Sequence, residues 1–360
     1  MNKISIPIGP QHPLIKEPIS FNIDISGERV LGCDMRLGYV HRGIERLAIK
    51  RNYTQNIHLI ERVCGICSHV HTTAYCYGVE KLLGVEIPER AQYIRALMCE
   101  MERIHSHLLW LGILAKHIGL DTIFMHTWHD REMVLDSMEV ISGGRVTHAV
   151  NKIGGVRCDI TPDHQDMLLT MLSELRVQVD KLLEVMDHDG SLKARTKGVA
   201  PITVEQIKAY CVVGPIARAS GVDIDLRRDA PLPPYDRLEF NVITRQDGDA
   251  WSRTILRVEE MRESINLCEK ILNNLPVGAI EIRAPRKVPP GEVIVRTEAP
   301  RGELFYYLRS NGTDMPARLK IRTPTLPALG ILPAQLSSIH VADIPVVLAG
   351  VDLCIACADR

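Results

Sequence analysis

What this chain of 360 residues lacks narrows its reading first. No run of about 18 apolar residues occurs, so no segment reads as a membrane-spanning helix. The richest stretches, Leu108 to Ala115 and Ile344 to Ala358, are flanked by His and Lys or interrupted by Asp352, and read as buried core. There is no excess of either charge: the formal net charge of -1 gives no reason to expect nucleic acid as a partner. No basic segment followed by a short apolar stretch and a small-residue cleavage site is present, so no ordinary secretion signal is expected. Gly143-Gly144 and Gly154-Gly155 sit outside any strand followed by a Gly-x-Gly-x-x-Gly or Walker pattern, which excludes a phosphate loop. No repeat and no low-complexity tract appears. Six of the ten cysteines (Cys33, Cys76, Cys99, Cys158, Cys211 and Cys268) are irregularly scattered, which suits reduced, buried thiols of a cytoplasmic protein better than a disulfide framework.

The other four cysteines are what is there. Cys64-Gly65-Ile66-Cys67 lies near the N-terminus and Cys354-Ile355-Ala356-Cys357 near residue 360. A Cys-x-x-Cys turn points two sulfurs at one centre, and two such turns can offer four thiolates to soft transition metals once the fold joins them. Each pair alone could equally be a redox dithiol or half of a zinc site. Zinc knuckles, however, draw their ligands from neighbouring residues, whereas nearly the whole chain separates these two turns.

Between the pairs the pattern is mostly helical. Ile19, Phe21, Ile23 and Ile25 alternate with polar residues before a Ser26-Gly27 turn, predicting β-structure over residues 4–39 with a Gly9 to Pro13 loop inside it. Helices are expected on either side of the first cysteine turn over 44–74, then over 90–116, 127–142, 164–186 and 251–275, from apolar residues at three- and four-residue spacing. His105 and His107 face different sides of their helix, so they read as satisfied or surface histidines and not as co-ligands. Residues 190–234 read as loop wrapping the core, and 293–295 and 305–308 as strands. The fold class is α+β: one domain over 1–360, with an N-terminal β-element over about 1–40, a large helical bundle core over about 44–275 and a mixed part with small β-elements over about 276–360.

The stretches Glu61-Arg62-Val63-Cys64-Gly65-Ile66-Cys67-Ser68-His69-Val70-His71 and Asp352-Leu353-Cys354-Ile355-Ala356-Cys357-Ala358-Asp359-Arg360 resemble the two metal-binding motifs of the large subunit of nickel–iron hydrogenases. Gly9-Pro10-Gln11-His12-Pro13, His41-Arg42-Gly43-Ile44-Glu45 and Glu298-Ala299-Pro300-Arg301-Gly302 narrow the resemblance to the membrane-associated, energy-converting branch, the Ech and CO-induced type, whose large subunits are related to the quinone-site subunit of respiratory complex I.

The resemblance implies a nickel–iron centre with carbon monoxide and cyanide on iron. Cys64 and Cys354 would be terminal nickel ligands, and Cys67 and Cys357 would bridge the metals. Formal charges of such a centre sum to about -2, so buried cations are required beside it. Arg301 is the leading one, in a turn that aims its guanidinium inward. Hydrogen cleavage needs a base beside the metals: the resemblance points to Cys354, with Glu17 relaying the proton. His71 matches a histidine that hydrogen-bonds a bridging sulfur, while His69 reads as structural. Glu45 matches a glutamate that shares a structural metal with a C-terminal histidine in many relatives; here residue 360 is arginine, so a Glu45–Arg360 salt bridge is expected instead. Leu353 stands where the family usually has proline, and Gly350 where a hydroxyl residue often donates to a cyanide. The chain ends directly after the second motif, as a mature form or a tail-less product would.

The expected activity is reversible formation and cleavage of molecular hydrogen, with H2 and protons as substrates and electrons derived from ferredoxin. The remaining cysteines lack ferredoxin spacing, so a small hydrogenase subunit with a 4Fe-4S cluster is expected, with a ferredoxin-like carrier subunit and integral membrane subunits that translocate ions. The expected place is peripheral, on the cytoplasmic face of the cell membrane. Two rivals remain: a complex-I-like quinone or electron-transfer subunit, suggested by His12 and the basic Arg318 to Arg322 stretch, and a structural zinc-binding protein. A carbon monoxide-linked or formate-linked assembly is an equally open source of the electrons.

Overall fold

The computed structural model describes residues 3–360. Its first element is an antiparallel sheet of β1 (Ile4–Ile8), β2 (Ser20–Ser26) and β3 (Arg29–Arg36). Alternation does the folding: Phe21 and Ile23 turn into the core while Asn22 between them is exposed. The loop from β1 to β2 is drawn tightly over Ile19, where a Cβ on Gly9, at φ +102°, would meet the Ile19 carbonyl oxygen at 2.1 Å. That loop ends in Lys16 and Glu17.

The helical part opens with α1 (Ile44–Ala48) and α2 (Tyr53–Glu61), the latter started by a reciprocal Asn52/Gln55 cap. The first cysteine turn separates α2 from α3 (Ser68–Leu83). The long α4 (Glu89–Ile118) then runs through the centre of the molecule, with Ile94, Leu97, Met98, Met101, Ile104, Leu108 and Leu111 all buried. Against it packs α5 (Asp121–Ser142); after the short β4–β5 ribbon (Asn151–Lys152 with Gly155–Val156), α6 (Pro162–His188) packs on α5 and on a later helix of the bundle.

Residues 190–234 depart from the loop expected of them. They form four short helices, α7 (Gly190–Thr196), α8 (Val204–Tyr210), α9 (Pro215–Arg218) and α10 (Leu226–Asp229). The Asp189, Thr203 and Asp225 side chains accept from Leu192, Gln206 and Arg227 N–H at three of their starts, and Pro215 begins the fourth. The residues that look like breakers are the punctuation between one- and two-turn helices.

The helix α11 (Ala250–Asn273) returns along α4. An antiparallel sheet follows, β6 (Gly291–Ala299), β7 (Gly302–Ser310) and β8 (Pro316–Arg322), the last of which the sequence pattern left unassigned. The chain closes with α12 (Thr325–Leu336), α13 (Ile344–Val351) and α14 (Ile355–Asp359). Three apolar clusters result: one of α4, α5, α6 and α11, one around the cysteine turns with α2, α3 and β6–β8, and one joining the first sheet to α8, α9, α12 and α13.

The bundle also buries charge. Arg95 on α4 donates to both carboxylate oxygens of Glu80 on α3, at 2.8 and 2.7 Å, and to the Lys152 and Gly155 carbonyls of the ribbon. His105 and His107 are buried, which excludes the surface placement considered for them; a helix packed on every side leaves no solvent face. His107 Nε2 lies 3.0 Å from Glu260, and neither nitrogen of His105 meets a protein hydrogen-bond partner. Replacing Glu80 by Ala strands the Arg95 charge, and is expected to lower the unfolding free energy by about 3–5 kcal/mol in denaturant titration. A loss under about 1 kcal/mol would show that the pair carries no structural weight.

Candidate metal centre

The two cysteine turns meet. Cys64 Sγ lies 3.6 Å from Cys354 Sγ, and Cys354 Sγ lies 2.9 Å from Cys357 Sγ. Two ligand-like groups arise, Cys64, Cys354 and Cys357, and Cys67, His71 and Cys357, each with its donor atoms within 4.8 Å of one another. Cys357 belongs to both, as a sulfur shared between two metals would. All four cysteines are buried. The first turn is shaped by its own backbone: Ile66 and Cys67 N–H point at Cys64 Sγ at 3.3 and 3.2 Å. Glu102 of α4 braces the start of α3 by accepting from His69 and Val70 N–H at 2.6 and 2.9 Å.

Charge in this cluster is unevenly shared. Hydrogen bonds from Cys354, Cys357 and Cys67 hold Cys64 well below the usual thiol range. Cys357 is held well above that range by its neighbours Cys354, Cys64 and Cys67. A cation entering the site would displace the remaining protons.

Arg301 occupies the two-residue turn between β6 and β7. Gly302, at φ +122°, lets that turn press on Gly214, since a Cβ there would lie 2.7 Å from the Gly214 nitrogen. The guanidinium donates from Nε to the Asp352 carbonyl and from Nη2 to Asp352 Oδ1, both at 2.9 Å, while Nη1 is buried without a partner. Burial disfavours its charge, but Asp352, Cys354, Cys67 and Cys64 outweigh that and keep it cationic. Lys16 Nζ stands 3.6 Å from the same Asp352 oxygen.

Glu17 reaches the site from the first sheet. Its Oε2 accepts from Ile355 N–H and from Ala356 N–H, the latter at 3.2 Å, which places the carboxylate at the start of α14 beside Cys354. Burial raises its pKa above the ordinary carboxylate value, against the pull of those two N–H groups. On the other side, His71 Nδ1 lies 2.7 Å from Tyr306 Oη and its Nε2 3.9 Å from Cys357 Sγ. Burial lowers His71 to about 4, so the ring is neutral and can accept from the tyrosine while donating toward the sulfur. Glu45 sits farther out, accepting from Ile321 N–H at 3.0 Å, Lys320 Nζ at 3.0 Å and Arg360 Nε at 3.1 Å. His69 stays away from the sulfurs, its Nε2 being 3.2 Å from the Arg95 carbonyl oxygen. Glu298, three residues before Arg301, turns away to accept from Arg218 at 2.8 Å.

Five participants were not singled out from the sequence: Arg42, Lys16, Glu102, Tyr306 and Asp352. Arg42 has the clearest job. It donates to the Arg62 and Val63 carbonyls of the first turn and, at 2.8 Å, to the Ala356 carbonyl of the second, tying both together. The signal was its place in His41-Arg42-Gly43, since Gly43, at φ +66°, starts α1 and leaves Arg42 facing the turns. The donor set fits soft metals: four converging sulfurs, a neutral imidazole, and a guanidinium N–H left unpaired beside them. Arg42→Met is expected to keep the helical content of wild type but release bound nickel to a chelator several-fold faster. Equal release rates would show that the tie does not hold the turns.

The chain resembles known proteins along its length. The family model described as the 49 Kd subunit of respiratory-chain NADH dehydrogenase matches residues 117–288 and 283–360, and that of nickel-dependent hydrogenase matches 42–121, the stretch holding Cys64 and Cys67. The carbon monoxide-induced hydrogenase of Rhodospirillum rubrum is 40% identical, with 100% of each chain covered. The membrane-bound hydrogenase subunit alpha of Pyrococcus furiosus is 39% identical over 99% of this chain and 87% of its own. A chain in the structure of the membrane-bound sulfane sulfur reductase, an archaeal respiratory membrane complex, superposes with a TM-score of 0.96 at 30% identity, covering 100% of this chain and 99% of that one. The chain therefore belongs to the family that unites the nickel-dependent hydrogenases with the 49-kDa subunit of respiratory-chain NADH dehydrogenase.

Proposed function

We propose that this chain is the catalytic subunit of a nickel–iron hydrogenase that interconverts molecular hydrogen with protons and electrons within a membrane complex. The observation that carries the reading is the convergence of four buried cysteine sulfurs from two distant turns, with Cys357 common to both ligand groups. Neither a structural zinc site nor a quinone subunit calls for a shared sulfur of this kind.

A bound nickel–iron pair, with carbon monoxide and cyanide on iron as the resemblance implies, supplies Lewis-acid and redox chemistry that no side chain has. Cys64, Cys67, Cys354 and Cys357 would hold it through their four sulfurs, Cys357 being common to both ligand groups. The Arg301 guanidinium, fixed by Asp352, has its Nη1–H free and would supply positive charge and a hydrogen-bond donor beside the bound group. His71 orients Cys357, and Tyr306 fixes the tautomer of His71. The Cys354 sulfur receives a proton as hydrogen is cleaved, and Glu17 passes it outward; in the reverse direction Glu17 delivers it. Glu17 can do so because only its Oε2 is engaged by backbone N–H groups, leaving Oε1 free to carry the proton.

Electrons must leave through another subunit, since among the described residues the remaining cysteines form no ligand group. A small subunit with a 4Fe-4S cluster and a ferredoxin-like carrier would serve, alongside ion-translocating membrane subunits. No helix among the described residues is long and apolar enough to cross a membrane, which fits a peripheral subunit; the cytoplasmic face is the proposed side. The Glu45 carboxylate is met by Lys320, Arg360 and a backbone N–H, an arrangement that substitutes for a structural cation.

The deciding experiment is metal analysis of the purified complex with a hydrogen-dependent dye-reduction assay. Nickel and iron in equal amounts with activity are expected; zinc alone or no metal would overturn the reading. Cys64→Ser and Cys357→Ser are each expected to abolish nickel uptake, and a fully loaded active variant would refute the ligand assignment. Glu17→Gln should keep both metals yet slow turnover by about 100-fold or more. Because burial raises the Glu17 pKa, hydrogen uptake in wild type should rise with pH through a midpoint above the ordinary carboxylate value of about 4.3, and evolution should fall through the same midpoint. The Glu17→Gln variant should lose that limb; a variant with wild-type rate and pH profile would remove Glu17 from the proton path.

A further inference from the structure

Beneath the second cysteine turn lie two arginines for which the mechanism above has no use. Arg253 and Arg257, one turn apart on α11, are 0% and 1% exposed. Neither is hydrogen-bonded to a carboxylate. Arg253 donates from Nη1 to the Ala200 and Gly248 carbonyls, and its Nε and Nη2 have no partner. Arg257 donates to the Arg253 carbonyl at 2.8 Å and the Gly350 carbonyl at 3.3 Å, leaves Nε unpartnered, and lies 4.3 Å above the Trp110 ring.

The acids within reach are already occupied. Asp249 caps the start of α11 and accepts from Gly198 N–H; Glu260 holds Arg218 and His107; Asp352 holds Arg301. A buried guanidinium without a counter-ion is costly, and burial lowers the pKa of both, Arg257 to about 10 and Arg253 to about 9. Around the turn the cations Arg253, Arg257, Arg301 and Lys16 face the carboxylates of Asp249, Asp352 and Glu17, with Glu260 engaged by Arg218 and His107, which leaves one positive charge in excess. Arg253 also occupies space at Gly350: a Cβ there would lie 3.3 Å from its Nε. A side chain at position 350 would therefore crowd the arginine behind it.

We propose that Arg257, backed by Arg253, is a positioned cation that sets the reduction potential of the metal centre, its charge balanced by the metal-bound sulfurs of Cys354 and Cys357, four and seven residues beyond Gly350. The proposal rests on the hydrogenase reading, because only a net-negative centre supplies the missing counter-charge. In a buried, weakly screened setting that attraction acts through several ångströms of protein. It favours the more negative, reduced state of the centre, so removing the cation moves the potential downward.

Arg257→Met, which keeps an apolar stem over Trp110, and Arg257→Lys, which keeps the charge, separate electrostatics from packing. In spectroelectrochemical titration of the nickel signal in the purified complex, Arg257→Met is expected to shift the midpoint negative, with Arg257→Lys remaining close to wild type. No shift in Arg257→Met, or equal shifts in both variants, overturns the proposal. Should Arg257→Met fail to fold, Arg253→Met is expected to shift the midpoint in the same direction by less, and an unmoved midpoint there overturns the proposal. In metal-depleted protein the sign of the stability effect reverses: with no counter-charge present, Arg257→Met should raise the thermal midpoint above metal-depleted wild type, and a lowered midpoint overturns the proposal. A wild-type protein that takes up no nickel overturns the hydrogenase reading instead, and the metal-depleted comparison still decides the claim about uncompensated charge.

Discussion

The structure depends on closing a very long loop without a covalent bond. Cys64 and Cys354 are 290 positions apart, and their sulfurs meet at 3.6 Å. Three polar contacts hold the closure: Arg42 spanning the carbonyls of both turns, Glu17 receiving the first N–H groups of α14, and Arg301 gripping Asp352. None of the three uses a sulfur atom. The four sulfurs are thus left free of those contacts, while arginine and glutamate offset the entropy of bringing the ends together.

Beyond that closure, the interior is unusually electrostatic for a helical bundle. Glu100, Asp225, Glu260 and Glu298 interlock with Arg103, Arg218 and Arg227 in a buried network that meets most of its own charge, whereas the region around Asp352 is left cation-rich. Networks of this kind contribute little net stability but fix geometry strongly, because each misplaced member strands a buried ion. Rigid placement is what a multi-sulfur centre needs from its scaffold. Trp110 contributes in the same sense, donating to the Ala349 carbonyl at 2.6 Å so that the end of α13 is held just before the second turn.

Much of this was legible in the residues, and for identifiable reasons. The apolar spacing along α4 and α6 is regular enough to place both helices within two residues of their ends. The cysteine turns could be paired because the motif spacing and the resemblance agree. Local chemistry was harder to read. The helices between 190 and 234 are too short for a periodic signal, and their caps look like loop residues until the backbone is seen. Arg253 and Arg257 were invisible as a pair, since an arginine on an amphipathic helix is ordinarily solvated, and only packing from α4 and α13 buries them. Tyr306 was legible as a strand residue but not as the partner of His71, because no local pattern links positions 235 apart.

One arrangement has a mechanical meaning. Glu17 rides on the first sheet, whose apolar contacts run to α12 and α13, whereas Cys64 and Cys67 belong to the cluster built on α3 and the second sheet. Glu17 and the first cysteine pair are therefore mounted on separate apolar clusters, and Glu17 is tied to the second pair. A displacement of the first sheet would therefore be transmitted through the Glu17 carboxylate to the Ile355 and Ala356 N–H groups, and so to the backbone that carries Cys354 and Cys357.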